Sequence, residues 1–441
     1  MVFFRNVLGT FITDGFIVVL NMLLGVLTAR ILGPERRGVL TLVMTLPLTL
    51  AYFADLGISQ ANVYFLGRNK RPESSIVTNS LIIALVVGTV VGIIVWSVRD
   101  VVLNTLLDDM PSHYLLAILL FLPLLILYTY WMAILRARQK FGIFNILRLL
   151  MPLALLICTA LALLVFQGGI GWAVMAYLLG NVLAVGISLF VVGRLVQFKF
   201  AFNWPMVRES LTYGLKSYLQ HLISHLTYRL DIYLVALFLP PSEIAFYGIA
   251  TSVAEMSWYI PNAVGMVLFP KLSNEMNDRI HSLTAETCRH TLAITFLTAI
   301  AITTVGVIVI PLAYGADYRP AIAPLIALGP GVVAMSLYKI LTRNFSSRDR
   351  QQISIFIAGL GLALNVTLDA ILIPRLGVTG AALASSCAYC AVGAAMLWAF
   401  QRESQLPWRE ILRFGRGDWS RYRDAGAYAQ SRLHPGARRN E

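Results

Sequence analysis

Apolar runs of twenty or more residues follow one another along this chain with only short polar breaks between them. A helix rises about 1.5 Å per residue, so runs of this length suffice for a hydrocarbon core of roughly 30 Å. The pattern predicts twelve spans, near 10–32, 38–66, 74–98, 112–135, 146–167, 170–194, 209–239, 244–270, 287–313, 320–342, 352–373 and 378–401. The links leave no room for a folded extramembrane domain before the C-terminal tail. The first span follows Arg5 directly without a small-residue cleavage site, so no cleavable signal peptide is expected.

The seventh span departs most from a plain apolar pattern. On a helical wheel Gly214, Ser217, Tyr218, His221, Ser224, His225, Tyr228 and Arg229 share one face, with Tyr213 and Asp231 at its edges. Leu215, Leu219, Leu222, Ile223, Leu226, Leu230 and Leu234 take the other side. Charge at mid-membrane costs a few kcal/mol or more, so this polar face is expected to line water or other helices. An amphipathic surface helix is the plainer alternative, but eleven apolar spans surround this one.

The first span repeats the theme with Thr10, Asp14, Asn21, Gly25 and Thr28 on one face. Asp14 either binds Na⁺ or H⁺ or pairs with a basic residue across the bundle. The eighth span carries Glu255 beside Trp258, Tyr259 and Asn262, with no basic partner nearby in sequence. Glu255 is expected to pair with Arg229 or His225, or to be protonated. Lys339 and Lys216 are read as snorkelling to the interface. Asp55 is read as a cap, and Asp369 as a cap or a partner of Arg375.

An internal repeat organises the spans. Leu32-Gly33-Pro34-Glu35-Arg36-Arg37-Gly38, between spans one and two, matches Pro240 to Gly248, between seven and eight. Gly169-Ile170-Gly171-Trp172-Ala173 likewise matches Val378-Thr379-Gly380-Ala381-Ala382. Gly38 and Tyr247, and Gly171 and Gly380, are both 209 residues apart. Two homologous six-span halves are therefore expected, 1–200 and 201–405, in the same orientation. A basic tail, 406–441, follows, with Arg409, Arg413, Arg416, Arg421, Arg423, Arg432, Arg438 and Arg439. Such a tail either binds anionic headgroups or is disordered.

Composition sharpens this picture. Hydrophobic residues make up 58% of the chain and charged ones 13%, which is not a soluble composition. Alternate links hold seventeen Lys and Arg on one side against six on the other. That bias predicts a multi-pass protein with both termini in the cytoplasm. It also accounts for much of the net charge of +13 without a nucleic-acid partner. Cys158, Cys387 and Cys390 fall inside spans and are read as small apolar residues, and Cys288 as a reduced thiol. No metal site or cofactor is expected. An ATP-binding G-x-x-x-x-G-K-[ST], an H-E-x-x-H and a long outward loop are all missing, which disfavours a pump or an enzyme.

Five motifs stand in order along the chain: Ala29-Arg30-x-Leu32-Gly33-Pro34-Glu35-x-x-Gly38, Asp55-Leu56-Gly57, Arg229-Leu230-Asp231, Leu268-Phe269-Pro270-Lys271-Leu272-Ser273 and the run from Pro374 to Ala382. Together they resemble the polysaccharide-transporter family, the Wzx-type lipid-linked oligosaccharide flippases of the multidrug/oligosaccharidyl-lipid/polysaccharide exporter superfamily. The resemblance implies an all-α fold with two six-helix lobes in a V around a central cavity. It implies undecaprenyl-pyrophosphate-linked repeat units as cargo and the bacterial plasma membrane as location, with H⁺ or Na⁺ as coupling ion. A polysaccharide polymerase and assembly machinery would be its partners beside the membrane lipids. A cationic lining carried over from the family corresponds to His221, His225 and Arg229. The chemistry agrees, since Arg offers a planar fork for phosphate oxygens. Tyr218 and Tyr228 could stack on sugar rings, and Ser217 and Ser224 offer hydroxyls. Asp14 and Glu255 are the ion-coupling candidates. An organic-cation antiporter of the same superfamily is the alternative, and a membrane glycosyltransferase or polymerase a third.

Overall fold

The computed structural model describes residues 2–68, 70–106, 111–196, 199–273 and 277–413. Asp108, Asp109, the tail from 414 and the side chains of Lys216 and Ser217 lie outside the described residues. The helices in order are α1 (Val2–Ala54), α2 (Ile58–Gly67), α3 (Glu73–Ser97), α4 (Arg99–Leu106), α5 (Ser112–Ala137), α6 (Phe141–Ala160) and α7 (Ile170–Leu195). The second half holds α8 (Trp204–Phe238), α9 (Pro241–Glu255), α10 (Tyr259–Ser273), α11 (Asn277–Val309), α12 (Ile322–Ser347), α13 (Gln351–Ser404) and a short α14 (Trp408–Leu412).

Eight of the described helices are long and apolar enough to cross a membrane. Two of them are double. α1 turns back at Gly33 (φ 75°) and α13 at Gly377 (φ 59°), so each contains two spans. Such positive φ values are routine only for glycine, which lacks the Cβ that would meet the following carbonyl. α8 and the α9–α10 pair, whose polar faces dilute their hydropathy, complete the twelve spans. The chain is an all-α polytopic membrane protein with two six-helix lobes around a central cavity. The turn at Gly33 corresponds to the α8–α9 joint at 239–240, and Gly377 to the break before α7 at 166–169.

The lobes meet at both ends. At the end bearing the basic links, Arg71 pairs with Glu209 at 2.5 Å and the rings of Tyr64 and Tyr213 stack 4.1 Å apart. Just inside, Gly57 and Gly214 touch backbone to backbone. Asp55 caps α2 there, its Oδ2 accepting from Gly57 N and Ser59 Oγ at 3.1 and 3.0 Å. At the opposite end, a Cβ on Gly38 would lie 1.7 Å from the carbonyl oxygen of Pro241. Beside it Arg30 donates to the carbonyls of Leu312 and Ala313. Those carbonyls belong to the π turn Ile310–Tyr314 that ends the ninth span. Helix ends leave carbonyls unbonded, and a guanidinium from the other lobe satisfies two of them.

Candidate functional site

Three connected cavities run between the two contact zones. One of about 490 Å³ is lined by Arg37, Arg148 and Arg229 together with Asn21, Thr41, Tyr128 and Asn181. A second, about 350 Å³, shares Asn21, Arg37, Gly248, Ile249 and Ser252 and adds Glu255, Trp258 and Tyr259. A third, about 290 Å³, shares Val18, Met256, Tyr259 and Asn262 with the second and ends among Phe11, Asp14, Gly15 and Met266. The path thus leads from three guanidiniums at the lobe interface to an apolar slot between the first and eighth spans.

Each lobe contributes charge to this path. Arg229, on the polar face of α8, forms a two-pronged pair with Glu255 at 3.0 and 3.1 Å. Both side chains are largely shielded, at 35% and 23% exposure. In the first lobe Arg148 of α6 reaches Asp14 of α1 at 2.7 Å. Both pairings settle choices left open by the sequence: Asp14 has a basic partner, and Glu255 meets Arg229 rather than His225. Arg37 differs from the other two guanidiniums. It bonds Thr41 Oγ1 at 3.2 Å and approaches Met44 Sδ at 3.9 Å. Its Nε is buried without a hydrogen-bond partner, and no acidic partner for it occurs among the described residues. The sequence places Arg37 between the first two spans; the helix restarts at Pro34, and that puts Arg37 on the cavity wall.

The remaining expected site residues divide along α8. His225 stacks on Tyr52 with ring centroids 4.0 Å apart, and its Nε2 lies 3.1 Å from Thr49 Oγ1. Tyr218 OH donates to the Phe53 carbonyl at 3.0 Å. His221 is exposed, close enough to Asp55 for their charges to interact. In this conformation Tyr218 and His225 hold α8 against the second span. Ser224 sits beside Tyr338, and Tyr228 packs against Trp258 with centroids 5.0 Å apart. Of the seven expected substrate-binding residues, Arg229 alone lines the cavities described here, while the Ser217 side chain is outside the described residues.

Two sequence expectations are corrected, and the acidic neighbour of Arg229 on α8 has other partners. Lys339 does not snorkel: its Nζ sits 4.5 Å from the Trp258 ring centroid and 5.0 Å from that of Tyr228. Those rings offer a negative π face inside the lobe, nearer than the interface. Asp369 neither caps nor pairs with Arg375 but is fully buried, with no hydrogen-bond partner on either oxygen. Asp231 is bonded to Tyr247 and Ser385, so Arg229 is held by Glu255 instead.

Comparison with known proteins agrees with this architecture. Solved structures share the fold: the lipid II flippase MurJ in an inward closed conformation matches with TM-score 0.77 at 16% identity, over 91% of this chain and 88% of that one. An inward-facing multidrug resistance MATE family transporter of the MOP superfamily matches with TM-score 0.70 at 14% identity, over 88% and 94%. The fold is therefore that of this group of membrane transporters. A profile described as "Polysaccharide biosynthesis protein" matches residues 3–276, and the chain belongs to that family. A putative O-antigen transporter of Shigella flexneri is 25% identical over 258 residues, 56% of this chain and 60% of that protein. A probable low-salt glycan biosynthesis flippase of Haloferax volcanii is 22% identical over 165 residues, 36% of this chain and 35% of that protein. The chain thus matches less than two thirds of the length of either relative.

Proposed function

We infer that this protein is a flippase for undecaprenyl-pyrophosphate-linked oligosaccharide repeat units, serving the assembly of O-antigen, capsule or exopolysaccharide. It works by alternating access in the bacterial plasma membrane, both termini cytoplasmic, with lobes 1–200 and 201–405 and a cytoplasmic tail 406–441. The carrying observation is that Arg37, Arg148 and Arg229, from both lobes, line one cavity that continues into an apolar slot. A pyrophosphate needs positive charge and planar donors once it leaves water, and guanidinium supplies both. The lipid tail stays in the bilayer and enters through the slot.

Arg37, with no acidic partner among the described residues, is open to the headgroup. Arg148 and Arg229 then exchange Asp14 and Glu255 for phosphate oxygens, which frees both carboxylates to take a coupling proton or ion. His221, His225, Tyr218, Ser217 and Ser224 meet the cargo when the basic end opens. Tyr228 stacks on sugar. A polysaccharide polymerase and its assembly machinery would take up the flipped unit. The protein acts as a transporter rather than an enzyme. The Shigella and Haloferax relatives support the cargo class by their names. The Arg37 guanidinium, whose charge no acidic partner among the described residues offsets, would repel the organic cations expected of a multidrug antiporter.

The test compares binding of undecaprenyl pyrophosphate and of neutral undecaprenol to the purified protein. Wild type should prefer the pyrophosphate at least tenfold. Arg37→Ala and Arg229→Ala should each lose most of that preference, with Arg229→Lys intermediate. His221→Ala and His225→Ala should lose less while the basic end is closed. Equal affinity for the two lipids, or an unchanged preference in both arginine variants, would sink the assignment.

A further inference from the structure

A further cavity, of about 730 Å³, opens at the basic end and shares no lining residue with the three cavities of the path. It lies across the lobe contact. The first lobe supplies Tyr64, Phe65 and Lys70, and the second supplies Arg208, Tyr213 and Asp349. The aromatic wall is already packed on itself. Tyr64 and Tyr213 stack with centroids 4.1 Å apart, and Phe65 tilts against Tyr213 at 5.7 Å. Recognition in this cleft therefore falls to its charged and polar groups.

Those charges do not cancel. Glu209, also on the wall, is neutralised by Arg71, whose Nε and Nη2 donate to its Oε2 at 3.1 and 2.5 Å. Lys70 Nζ donates to Tyr64 OH at 2.7 Å, and an ammonium has two further N–H groups to give. The side chains of Arg208 and Asp349 are exposed and have no partner among the described residues. Two cations thus face one carboxylate. Phosphate oxygens suit such cations, and guanidinium offers them a planar fork. A carboxylate accepts hydroxyl groups but repels a ligand that is anionic throughout. The Gln351 amide beside it adds a donor and an acceptor. The ligand so described is anionic at one end and hydroxylated at the other. The volume falls within the roughly 300–1,000 Å³ usual for small-molecule sites, more than a bare phosphate fills.

We propose that this cleft binds a phosphate ester that carries hydroxyl groups, its phosphate between Lys70 and Arg208 and its hydroxyls on Asp349 and Gln351. A glycerol-bearing phospholipid headgroup and a nucleotide-linked sugar share this chemistry. The site stands independently of the cargo. Lys70 and Arg208 belong to different lobes, so the complete site exists only while the basic end is shut. A ligand that prefers one of two states shifts the equilibrium toward it. The bound ester therefore holds the basic end closed.

The test is native mass spectrometry of the full-length protein purified in detergent. It is titrated separately with dioctanoyl phosphatidylglycerol, UDP-glucose and dioctanoyl phosphatidylcholine, whose headgroup has no hydroxyl. Wild type should bind phosphatidylglycerol or UDP-glucose at least tenfold more tightly than phosphatidylcholine. A preference for the first identifies a lipid headgroup as the source, and for the second a soluble ester. Lys70→Gln and Arg208→Gln should each weaken that binding at least fivefold. Both side chains are exposed, so neither substitution burdens the fold. Arg319→Gln, exposed at the opposite end, should change nothing. Equal affinity for the three probes, or undiminished binding in Lys70→Gln or Arg208→Gln, overturns the site. The probes carry no undecaprenyl chain and the variants keep Arg37, Arg148 and Arg229, so this test and the pyrophosphate test fail separately.

Discussion

Gly57 and Gly214 meet without side chains: a Cβ on Gly57 would stand 2.3 Å from the Gly214 carbonyl oxygen, and one on Gly214 2.4 Å from that of Gly57. The two residues belong to different lobes, so the contact exists only while the basic end is shut. Gly57 also holds a φ of 78°, where any side chain costs about 1–2 kcal/mol. Gly214→Val, at an ordinary helical position, should therefore prevent closure without burdening the fold of either lobe. Cysteines replacing Tyr64 and Tyr213 should cross-link readily through a short bifunctional reagent in an otherwise wild-type chain. Adding Gly214→Val should lower the yield about fivefold or more. An undiminished yield would mean that the lobes close some other way.

The Arg229–Glu255 pair gives opposite expectations for stability and binding. Glu255→Gln leaves a guanidinium without its counter-charge, at a cost of about 1–3 kcal/mol. That is below the range for a fully buried pair because the Arg229 side chain is 35% exposed. The thermal midpoint should fall, yet affinity for undecaprenyl pyrophosphate should rise, since the headgroup no longer competes with the carboxylate. A fall in both quantities would show that Glu255 orients Arg229 rather than masks it.

Lys339 supplies a third expectation. Its ammonium lies over the rings of Trp258 and Tyr228, an arrangement worth about 1–2 kcal/mol when shielded from water. Lys339→Met should lower the thermal midpoint and alter the Trp258 emission. The same substitution made beside Trp258→Leu should add little. Full additivity of the two losses would argue that the cation and the ring are not coupled.

Orientation can be checked by labelling. Cysteines at the exposed Glu35 and Arg319 should react with an impermeant thiol reagent on intact cells. Cysteines at the exposed Lys140 and Arg350 should react only after permeabilisation. The reverse pattern would invert the direction of transport.

The twelve spans and the turns at Gly33 and Gly377 were legible in the sequence because helix length and φ are local properties. The polar face of α8 was legible too, as was the pairing of Asp14 with some basic residue. What that face touches was not. His225 reads as a cavity residue until Tyr52 and Thr49 of the other lobe take up its ring and nitrogen. Lys339 reads as a snorkeller because the rings that hold it come from α8 and from the turn between α9 and α10. Arg37 reads as a turn residue for a different reason. The hydropathy boundary falls at Gly38, whereas the helix resumes at Pro34, so the residue between them turns inward.

The tight reversals at Gly33 and Gly377 have a consequence for whatever approaches from that side. Two of the six hairpins there turn on a single glycine, and the α8–α9 joint needs only residues 239 and 240. Among the described residues a protease or an antibody would find little extended backbone to grip on this face, since 99–106 and 316–321 are helical as well. Any protein that docks there must recognise a hard, nearly flat relief of helix ends. Specificity in such a contact would come from a few protruding side chains, Glu35 and Arg36 among them, and not from loops that mould themselves to a partner.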